Sequence, residues 1–576
     1  MKSTVQERAM HCLRSNQLEK ALALYRKICK PGSRNSEAWF HLGTIYGRLG
    51  KVQEAETCLR RVIALTPRYA AAHYCLGTVL REQDRLEEAV DSYNYSLQLH
   101  PGNAEAHNNL GVILHDLDRC PEAEAHYRQA LQLRPDYAAA YRNLGLLLKD
   151  LEKPAEAIAA VKKALQLQPG FTDAYLSLGS LFEDLHEYNK AETAYQKAQR
   201  LNPQDTDVLC SRAWLHESQC QYQDAISLLR EALAIKPDLA EANFRLALHY
   251  LRLGDFHQGW PGYEWRLKTS PHLPKGASRP SWDGGLRDFP QPLWDGSPLA
   301  ERTLLVHGEQ GIGDEIMFAS CLPDLVSQNA NIILECDPRL APLFQRSFPD
   351  IHVHGENQRD DLSWLEQCGP VDVQLPIGSL PRHLRPGIDS FPKHSGYLLA
   401  DAQARQAWRK RYRALGAGLK VGISWQAGKL AKETSRRSIP LSQWGPVLKT
   451  PGVHFINVQY GEHQQEIEAA ESKYAVQIHH WPDVNPVSNL DDFAAMIAEL
   501  DLVIAVDNST VHMAGALNVP VWALLPAASN WRWMLDTDTS YWYPGVRLFR
   551  SSTDSAWLDL VTEIAAALEN SALLPQ

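Results

Sequence analysis

A repeat of 34 residues runs through the first half of the chain and restricts it to a modular architecture. Prolines and small residues recur at that interval in three series that keep a constant register. The series are Pro67, Pro101, Pro135, Pro169, Pro203 and Pro237; Gly43, Gly77, Gly111, Gly145 and Gly179, continued by Ala213 and Ala247; and Ala21, Ala55, Ala89, Ala123, Ala157, Ala191 and Ala225. Three interleaved series predict stacked copies of one supersecondary unit.

Each unit contains two amphipathic segments with small residues where they approach each other. Residues 108–114 are typical of the first helix, and residues 122–131 of a second helix that ends before Pro135. This pattern resembles the tetratricopeptide repeat, in which helix pairs stack into a superhelix with a concave groove. We therefore expect an α-solenoid over residues 1–270, with seven repeats and a degenerate eighth.

Two asparagines occupy equivalent positions in the first helices of neighbouring repeats. Asn109 and Asn143 resemble rungs of the asparagine ladder that holds an extended peptide in the nucleocytoplasmic protein O-glycosyltransferases. The resemblance implies that they bind a protein acceptor, although two solvated polar side chains would give the same pattern. Only two rungs are present, because His41, Cys75 and Ser177 occupy the neighbouring equivalents.

The second half has a different periodicity. Residues 271–300 are rich in Pro, Gly, Ser and Trp and are predicted to form a linker. Short apolar runs then alternate with helical segments, which favours parallel sheets. The runs predicted as strands are residues 303–307, 331–336, 419–425, 454–459 and 502–506. We expect two α/β domains, at residues 301–400 and 418–576.

Two motifs in this half resemble the bacterial heptosyltransferase-like (family nine) glycosyltransferases, in the branch fused to tetratricopeptide repeats. Residues 307–318, HGEQGIGDEIMF, are similar to that family's first strand-turn-helix, and residues 507–520, DNSTVHMAGALNVP, to its donor motif. The runs RRSIPL, which begins at Arg436, and Trp531-Arg532-Trp533 also match the branch. The resemblance implies two Rossmann-like domains in the GT-B arrangement, which needs no metal.

The resemblance also implies a nucleotide-sugar site. The free amides of a helix that follows Val506 would favour a phosphate, with hydroxyl groups adding donors. A cationic loop would neutralise the leaving phosphate. The predicted donor-binding residues are Gly311, Gly313, Lys429, Arg437, Asp507, Asn508, Ser509, Thr510 and His512. An ordinary capped helix with a packing histidine, beside a solvated charge run, remains the alternative.

An inverting sugar transfer also needs a carboxylate that removes the proton of the acceptor hydroxyl. Asp314 aligns with the aspartate given this role in the heptosyltransferases, and Glu309 is a second candidate. The alternatives are a helix cap for Asp314 and a structural contact for Glu309.

Composition limits the partners and the compartment. The 576 residues carry a net charge of −10, which disfavours nonspecific binding to nucleic acid or to an anionic membrane. No apolar run approaches the length of a membrane span. The ten cysteines show no disulfide framework or zinc spacing, so we expect a cytoplasmic protein without a metal or a resident cofactor.

Together these features predict a glycosyltransferase that moves a sugar from a nucleotide-sugar to Ser or Thr of a protein acceptor held by the repeats. The analogy is with bacterial repeat-fused transferases that glycosylate flagellin. Two alternatives remain open, namely a transferase acting on lipopolysaccharide or another glycan, and a repeat scaffold with an inactive transferase fold.

Overall fold

The computed structural model describes residues 4–269, 289–355, 362–428, 437–553 and 557–571. It divides into two compact units, Met1–Leu215 and His216–Gln576. The second unit therefore begins among the last repeat helices, upstream of the boundary predicted near residue 270, and it contains both sheets. Within the described residues, no helix is long and apolar enough to cross a membrane.

The repeat region consists of sixteen helices in eight consecutive pairs, which confirms the predicted helical solenoid. The helices are α1 Val5–Arg14, α2 Leu18–Ile28, α3 Ser36–Arg48, α4 Val52–Leu65, α5 Ala70–Glu82, α6 Leu86–Leu99, α7 Ala104–Asp116, α8 Cys120–Leu133, α9 Ala138–Asp150, α10 Pro154–Leu167, α11 Thr172–Asp184, α12 Tyr188–Leu201, α13 Thr206–Ser218, α14 Tyr222–Ile235, α15 Ala240–Arg252 and α16 Phe256–Tyr263. A short 3-10 helix, Glu264–Lys268, follows α16.

The periodic residues have the two roles that their spacing predicts. The second helix of a pair ends two residues before its periodic proline, as α8 does at Leu133 before Pro135, because the residue preceding a proline disfavours helical geometry. The periodic glycines lie where the two helices of a pair touch. A Cβ atom at Gly179 would lie 2.3 Å from the buried ring of Tyr195.

The second unit contains two wholly parallel sheets. One has four strands in the order β3-β2-β1-β4, and the other has six in the order β10-β9-β8-β5-β6-β7. The strands are β1 Thr303–His307, β2 Asn331–Cys336, β3 His352–Gly355, β4 Val373–Pro376, β5 Leu419–Ser424, β6 Val453–Asn457, β7 Ile478–His479, β8 Leu502–Val506, β9 Val521–Leu525 and β10 Val546–Arg550. The six-stranded order is that of a doubly wound Rossmann sheet, whose ligands bind where the order reverses, here between β5 and β8.

Helices connect these strands, as parallel pairing requires. They are α17 Ile312–Ala319, α18 Leu322–Val326, α19 Ala341–Ser347, α20 Leu380–Leu384, α21 Ala402–Ala414, α22 Gly445–Leu448, α23 Gln464–Tyr474, α24 Leu490–Ile497, α25 Ser509–Ala516 and α26 Trp557–Glu569. The chain just before β1 also packs against the four-stranded sheet, because Leu293 pairs with Gln374 and Trp294 is buried. The end of the predicted linker is thus part of the α/β region, while residues 270–288 lie outside the described part.

Aromatic side chains join the last repeat helix to the α/β region of the same unit. Trp260 on α16 is 2% exposed, and its indole N–H donates to the Arg385 carbonyl at 2.6 Å. Its ring meets those of Trp531 and Trp542 edge-on at 5.7 and 6.5 Å. These contacts place α16 within the apolar core of the second unit.

Gly179→Ala should destabilise the first unit by about 1–3 kcal/mol, because the added methyl group must displace the buried Tyr195 ring. The matched control is Gly47→Ala, also within a repeat helix, where a Cβ would meet nothing within 4 Å. That variant should be neutral or more stable by up to about 1 kcal/mol, because alanine favours a helix. Urea unfolding measures both, and equal effects would contradict the close helix packing.

Candidate active site

Two strand-turn-helix segments bring the predicted site residues together. β1 ends at His307 and leads through a glycine turn into α17, and β8 ends at Val506, with two residues between it and the start of α25. Both turns lie at carboxyl ends of parallel strands that flank a reversal of strand order, where open α/β sheets bind ligands. The two helices touch at their first turns.

Gly313 permits this contact between α17 and α25. A Cβ there would lie 3.0 Å from the His512 ring and 3.5 Å from the Ser509 backbone. The structure thus places Gly313 and Asp314 beside Ser509 and His512, which sequence reasoning assigned to one site. A Cβ at Gly311 would meet only the Asp314 carboxylate, at 3.8 Å, so the turn itself leaves room for a ligand.

Asp314 pairs with an arginine that was not among the predicted site residues. Nη2 of Arg532 donates to Oδ1 of Asp314 at 2.5 Å, and Nη1 lies 3.4 Å from Nε2 of His512. Both side chains of the ion pair keep a little solvent contact, with 12% exposure for Arg532 and 18% for Asp314. The signal available in the sequence was a basic residue between two tryptophans, in a run noted for its family match and its aromatic rings.

His512 is buried and uncharged. Burial, reinforced by the Arg532 guanidinium, lowers the pKa of His512 from 6.5 to about 3. Its Nδ1 lies 2.9 Å from the Tyr543 hydroxyl, and its ring stacks on Trp533 at 5.4 Å. Because an arginine only donates, Nε2 must accept and Nδ1 must carry the proton. The ring therefore orients Arg532 as a neutral acceptor.

A second ion pair lies behind the first. Asp507 is 1% exposed, and its Oδ2 is 3.3 Å from Nη2 of Arg437, which also donates to the Asp507 carbonyl. Burial alone would raise the pKa of the Asp507 carboxyl, but the guanidinium groups of Arg437 and Arg532 outweigh it and hold that pKa below 3.8. Asp507 is therefore an ionised carboxylate that balances two arginines.

The cap residues of α25 are mostly committed to the fold. Oδ1 of Asn508 accepts the Thr510 amide at 3.0 Å, and its Nδ2 donates to Ser424 Oγ at 2.7 Å and to the Gln426 carbonyl at 2.9 Å. Thr510 is fully buried, with its hydroxyl donating to the Val458 carbonyl at 3.5 Å. Of the three predicted polar donors 508–510, Ser509 alone keeps solvent exposure.

Glu309 has a structural role in this geometry. The carboxylate is 6% exposed, and Arg266 donates to both of its oxygens, at 3.0 and 2.6 Å. The Gly378 amide donates to Oε1 at 2.9 Å. Arg266 itself is fully buried and also donates to Glu264 at 2.8 Å. Of the two predicted carboxylates, Asp314 is thus the one placed where a substrate could reach it.

The two predicted acceptor residues join a polar chain across the first helices of the repeats. Nδ2 of Asn109 donates to the Tyr74 hydroxyl at 3.1 Å, and Nδ2 of Asn143 donates to Asn108 Oδ1 at 3.0 Å. Arg142 extends the chain to Ser177 at 3.1 Å. Both asparagines are half-buried and already tie neighbouring repeats together, so an acceptor would have to share or displace these bonds.

The predicted cationic loop is described only in part. Arg437 lies within the described residues, whereas Lys429 lies outside them. Among the residues that the structure does describe, no group of three or more His, Cys, Asp or Glu side chains is placed to hold a metal ion.

Arg266→Met should destabilise the second unit by about 3–5 kcal/mol, because it leaves Glu309 buried without its cation. Adding Glu309→Gln should restore part of the loss, since the amide keeps an acceptor for Gly378 and removes the unpaired charge. Urea unfolding of both variants checks this, and a double variant less stable than the single one would contradict it.

His512 should give the second unit a defined pH dependence. A histidine in the unfolded chain binds a proton near pH 6.5, whereas the folded pKa is about 3, so stability falls as the pH falls between these values. The wild type should lose about 2 kcal/mol more than His512→Gln between pH 7 and pH 5, measured by urea unfolding. Burial also lowers the pKa of His249 to about 4, but His249 is present in both chains and cancels. Parallel profiles would show that His512 is not buried neutral.

Comparison with known proteins supports the repeat assignment and adds one relative. The tetratricopeptide repeat family matches residues 40–104, 102–169, 142–206 and 210–257. Protein FlbA of Caulobacter vibrioides (strain ATCC 19089 / CIP 103742 / CB 15) is 36% identical over 344 residues, covering 58% of this chain and 56% of the relative. The chain thus spans about half the length of this relative. A match of that length extends beyond the repeat helices, the last of which ends at Tyr263.

Some solved structures are similar to part of this chain. Pseudomonas aeruginosa PilF is 26% identical, with a TM-score of 0.32, and the match covers 37% of this chain and 96% of PilF. A tetratricopeptide repeat protein from Parabacteroides merdae ATCC 43184 is 18% identical, with a TM-score of 0.38, and covers 42% of this chain and 97% of its own. The family matches show that the N-terminal region is built of tetratricopeptide repeats, and 58% of the chain is similar to Protein FlbA.

Proposed function

We propose that the protein is a metal-independent glycosyltransferase that moves a sugar from a nucleotide-sugar to Ser or Thr of a protein recruited by its repeats. The observation that carries this proposal is the contact between α17 and α25 at Gly313. Beside this contact, at the carboxyl ends of β1 and β8, lie the Asp314 carboxylate and the guanidinium groups of Arg437 and Arg532. Two parallel sheets, with the charged side chains at the carboxyl ends of their strands, agree with the GT-B arrangement that the sequence motifs implied.

The Asp314 carboxylate and the guanidinium groups of Arg437 and Arg532 fit the chemistry of sugar transfer. The acceptor hydroxyl oxygen would form a bond to the anomeric carbon while its proton passes to the Asp314 carboxylate. The bond from that carbon to the phosphate oxygen breaks, and the electron pair leaves with the nucleotide. Asp507 and His512 belong to the predicted donor-binding motif, and Arg437 and Arg532 lie beside them. These two guanidinium groups would stabilise the negative charge of the leaving nucleotide. No step in this scheme requires a metal ion.

We propose a flagellar protein, flagellin in the simplest case, as the acceptor. The sequence resemblance pointed to this substrate, and the similarity to Protein FlbA supports a flagellar role. Tetratricopeptide repeats usually bind proteins, and the polar chain through Asn109 and Asn143 offers amide groups that could exchange partners with an extended peptide.

The decisive experiment is intact-mass analysis of flagellin from cells that carry the wild-type gene, the Asp314→Asn variant or a deletion. The wild type should add the mass of a sugar, and the deletion should abolish it. Asp314→Asn should lower turnover by about 10²–10⁴, the usual contribution of a general base, and wild-type turnover should survive EDTA.

The other outcomes identify the alternatives. An unmodified flagellin together with an altered lipopolysaccharide would favour a glycan acceptor. No change in any glycoconjugate would favour the repeat scaffold with an inactive transferase fold. Full activity of Asp314→Asn would remove the assigned base, and loss with EDTA that manganese restores would remove the metal-independent scheme.

A further inference from the structure

The charges of the described residues around His512 balance. Two guanidinium groups, Arg437 and Arg532, face two carboxylates, Asp507 and Asp314, and the imidazole between them is neutral. Each cation already has a carboxylate partner in the described part of the chain. Among the described residues, an incoming phosphate therefore meets no surplus positive charge, and it gains one of these guanidinium groups only if one pair opens.

The two ion pairs differ in their freedom to open. Asp507 is 1% exposed, so separating it from Arg437 would leave a charge in the interior at a cost of several kcal/mol. The Asp314 side chain is 18% exposed, so water can solvate its carboxylate once it separates from Arg532. The Asp314–Arg532 pair is consequently the exchangeable one.

The surroundings of Arg532 also allow its guanidinium to change its partner. Its backbone lies between Trp531 and Trp533, which are 6% and 1% exposed and anchor the chain on both sides. The His512 ring supplies only an acceptor to Nη1, and Nε has no hydrogen-bond partner among the described residues. The guanidinium can thus rotate about its side chain while the segment that carries it stays fixed.

We propose that a phosphate group of a nucleotide competes with Asp314 for Arg532, so that donor binding itself releases the Asp314 carboxylate. The proposed function supplies the ligand class and the use of the released carboxylate, and the inference rests on it to that extent. An arginine fork pairs with phosphate oxygens at least as well as with a carboxylate. The Asp314 carboxylate is therefore held by Arg532 until a donor phosphate takes its place, and only then is it available as the base.

This competition has a distinctive consequence for binding. A carboxylate that competes with the ligand for one cation weakens ligand binding, so its removal strengthens binding. Asp314→Asn should therefore bind inorganic pyrophosphate about five- to thirtyfold more tightly than the wild type, within the usual range of coupling between sites. The gain depends on Arg532, which distinguishes it from the general effect of removing a negative charge.

The test is a double-mutant cycle on the full chain, with pyrophosphate affinity measured by titration calorimetry. Arg532→Gln should weaken binding about ten- to a hundredfold. Adding Asp314→Asn to Arg532→Gln should change the affinity by less than about threefold, because the contested cation is gone. The control Asp491→Asn removes a carboxylate from another partly exposed ion pair, with Arg346, and should leave the affinity unchanged.

The outcomes separate this inference from the proposed function. No gain in Asp314→Asn, an equal gain with and without Arg532, or no pyrophosphate binding by any chain would overturn the inference. If Arg532→Gln does not fold, Asp314→Asn compared with Asp491→Asn still decides, because only the former is expected to gain. If Asp314→Asn binds pyrophosphate more tightly but the wild type transfers no sugar, the proposed function alone is overturned. If the wild type transfers sugar but Asp314→Asn binds pyrophosphate no more tightly, the competition alone is overturned.

Discussion

Arg266 has no exposure to solvent, and its guanidinium can be buried there only because the carboxylates of Glu264 and Glu309 receive its charge. The buried Glu309 carboxylate also fixes the position of the backbone around it. Glu309 also accepts the Gly378 amide at 2.9 Å, so one carboxylate fixes the turn after β1 to the segment after β4. Since that turn leads into α17, the position of Asp314 depends on a residue contributed by the end of the repeat region.

The last repeat helix also belongs to the second unit. Trp260 on α16 packs against Trp531 and Trp542, and Trp531 directly precedes the arginine that holds Asp314. One aromatic cluster thus supports both the last repeat and the charged cleft. The last repeat helix is therefore a structural part of the α/β region.

Local patterns were enough to predict the paired repeat helices and half of the ten strands in the described residues. The repeat register correctly predicted the helix pairs, because a period of 34 residues with glycine facing a large ring specifies the pair packing. The runs at 303–307, 331–336 and 502–506 became β1, β2 and β8 with the predicted bounds. The strands β3, β4, β7, β9 and β10 were not identified, and β3, β4 and β7, at two to four residues each, carry too few alternating positions to stand out.

The sequence by itself determined the modular repeat, the alternation of strands and helices, and the two motifs at residues 307–318 and 507–520. These follow from neighbouring residues, whose spacing fixes helix faces and strand ends. Only the tertiary structure decided the different surroundings of Glu309 and Asp314, because these depend on which arginine reaches each carboxylate. Arg532 lies 218 residues from Asp314, and Arg266 lies 43 residues from Glu309. Such charge partners are set by the packing of whole elements, and no local pattern encodes them.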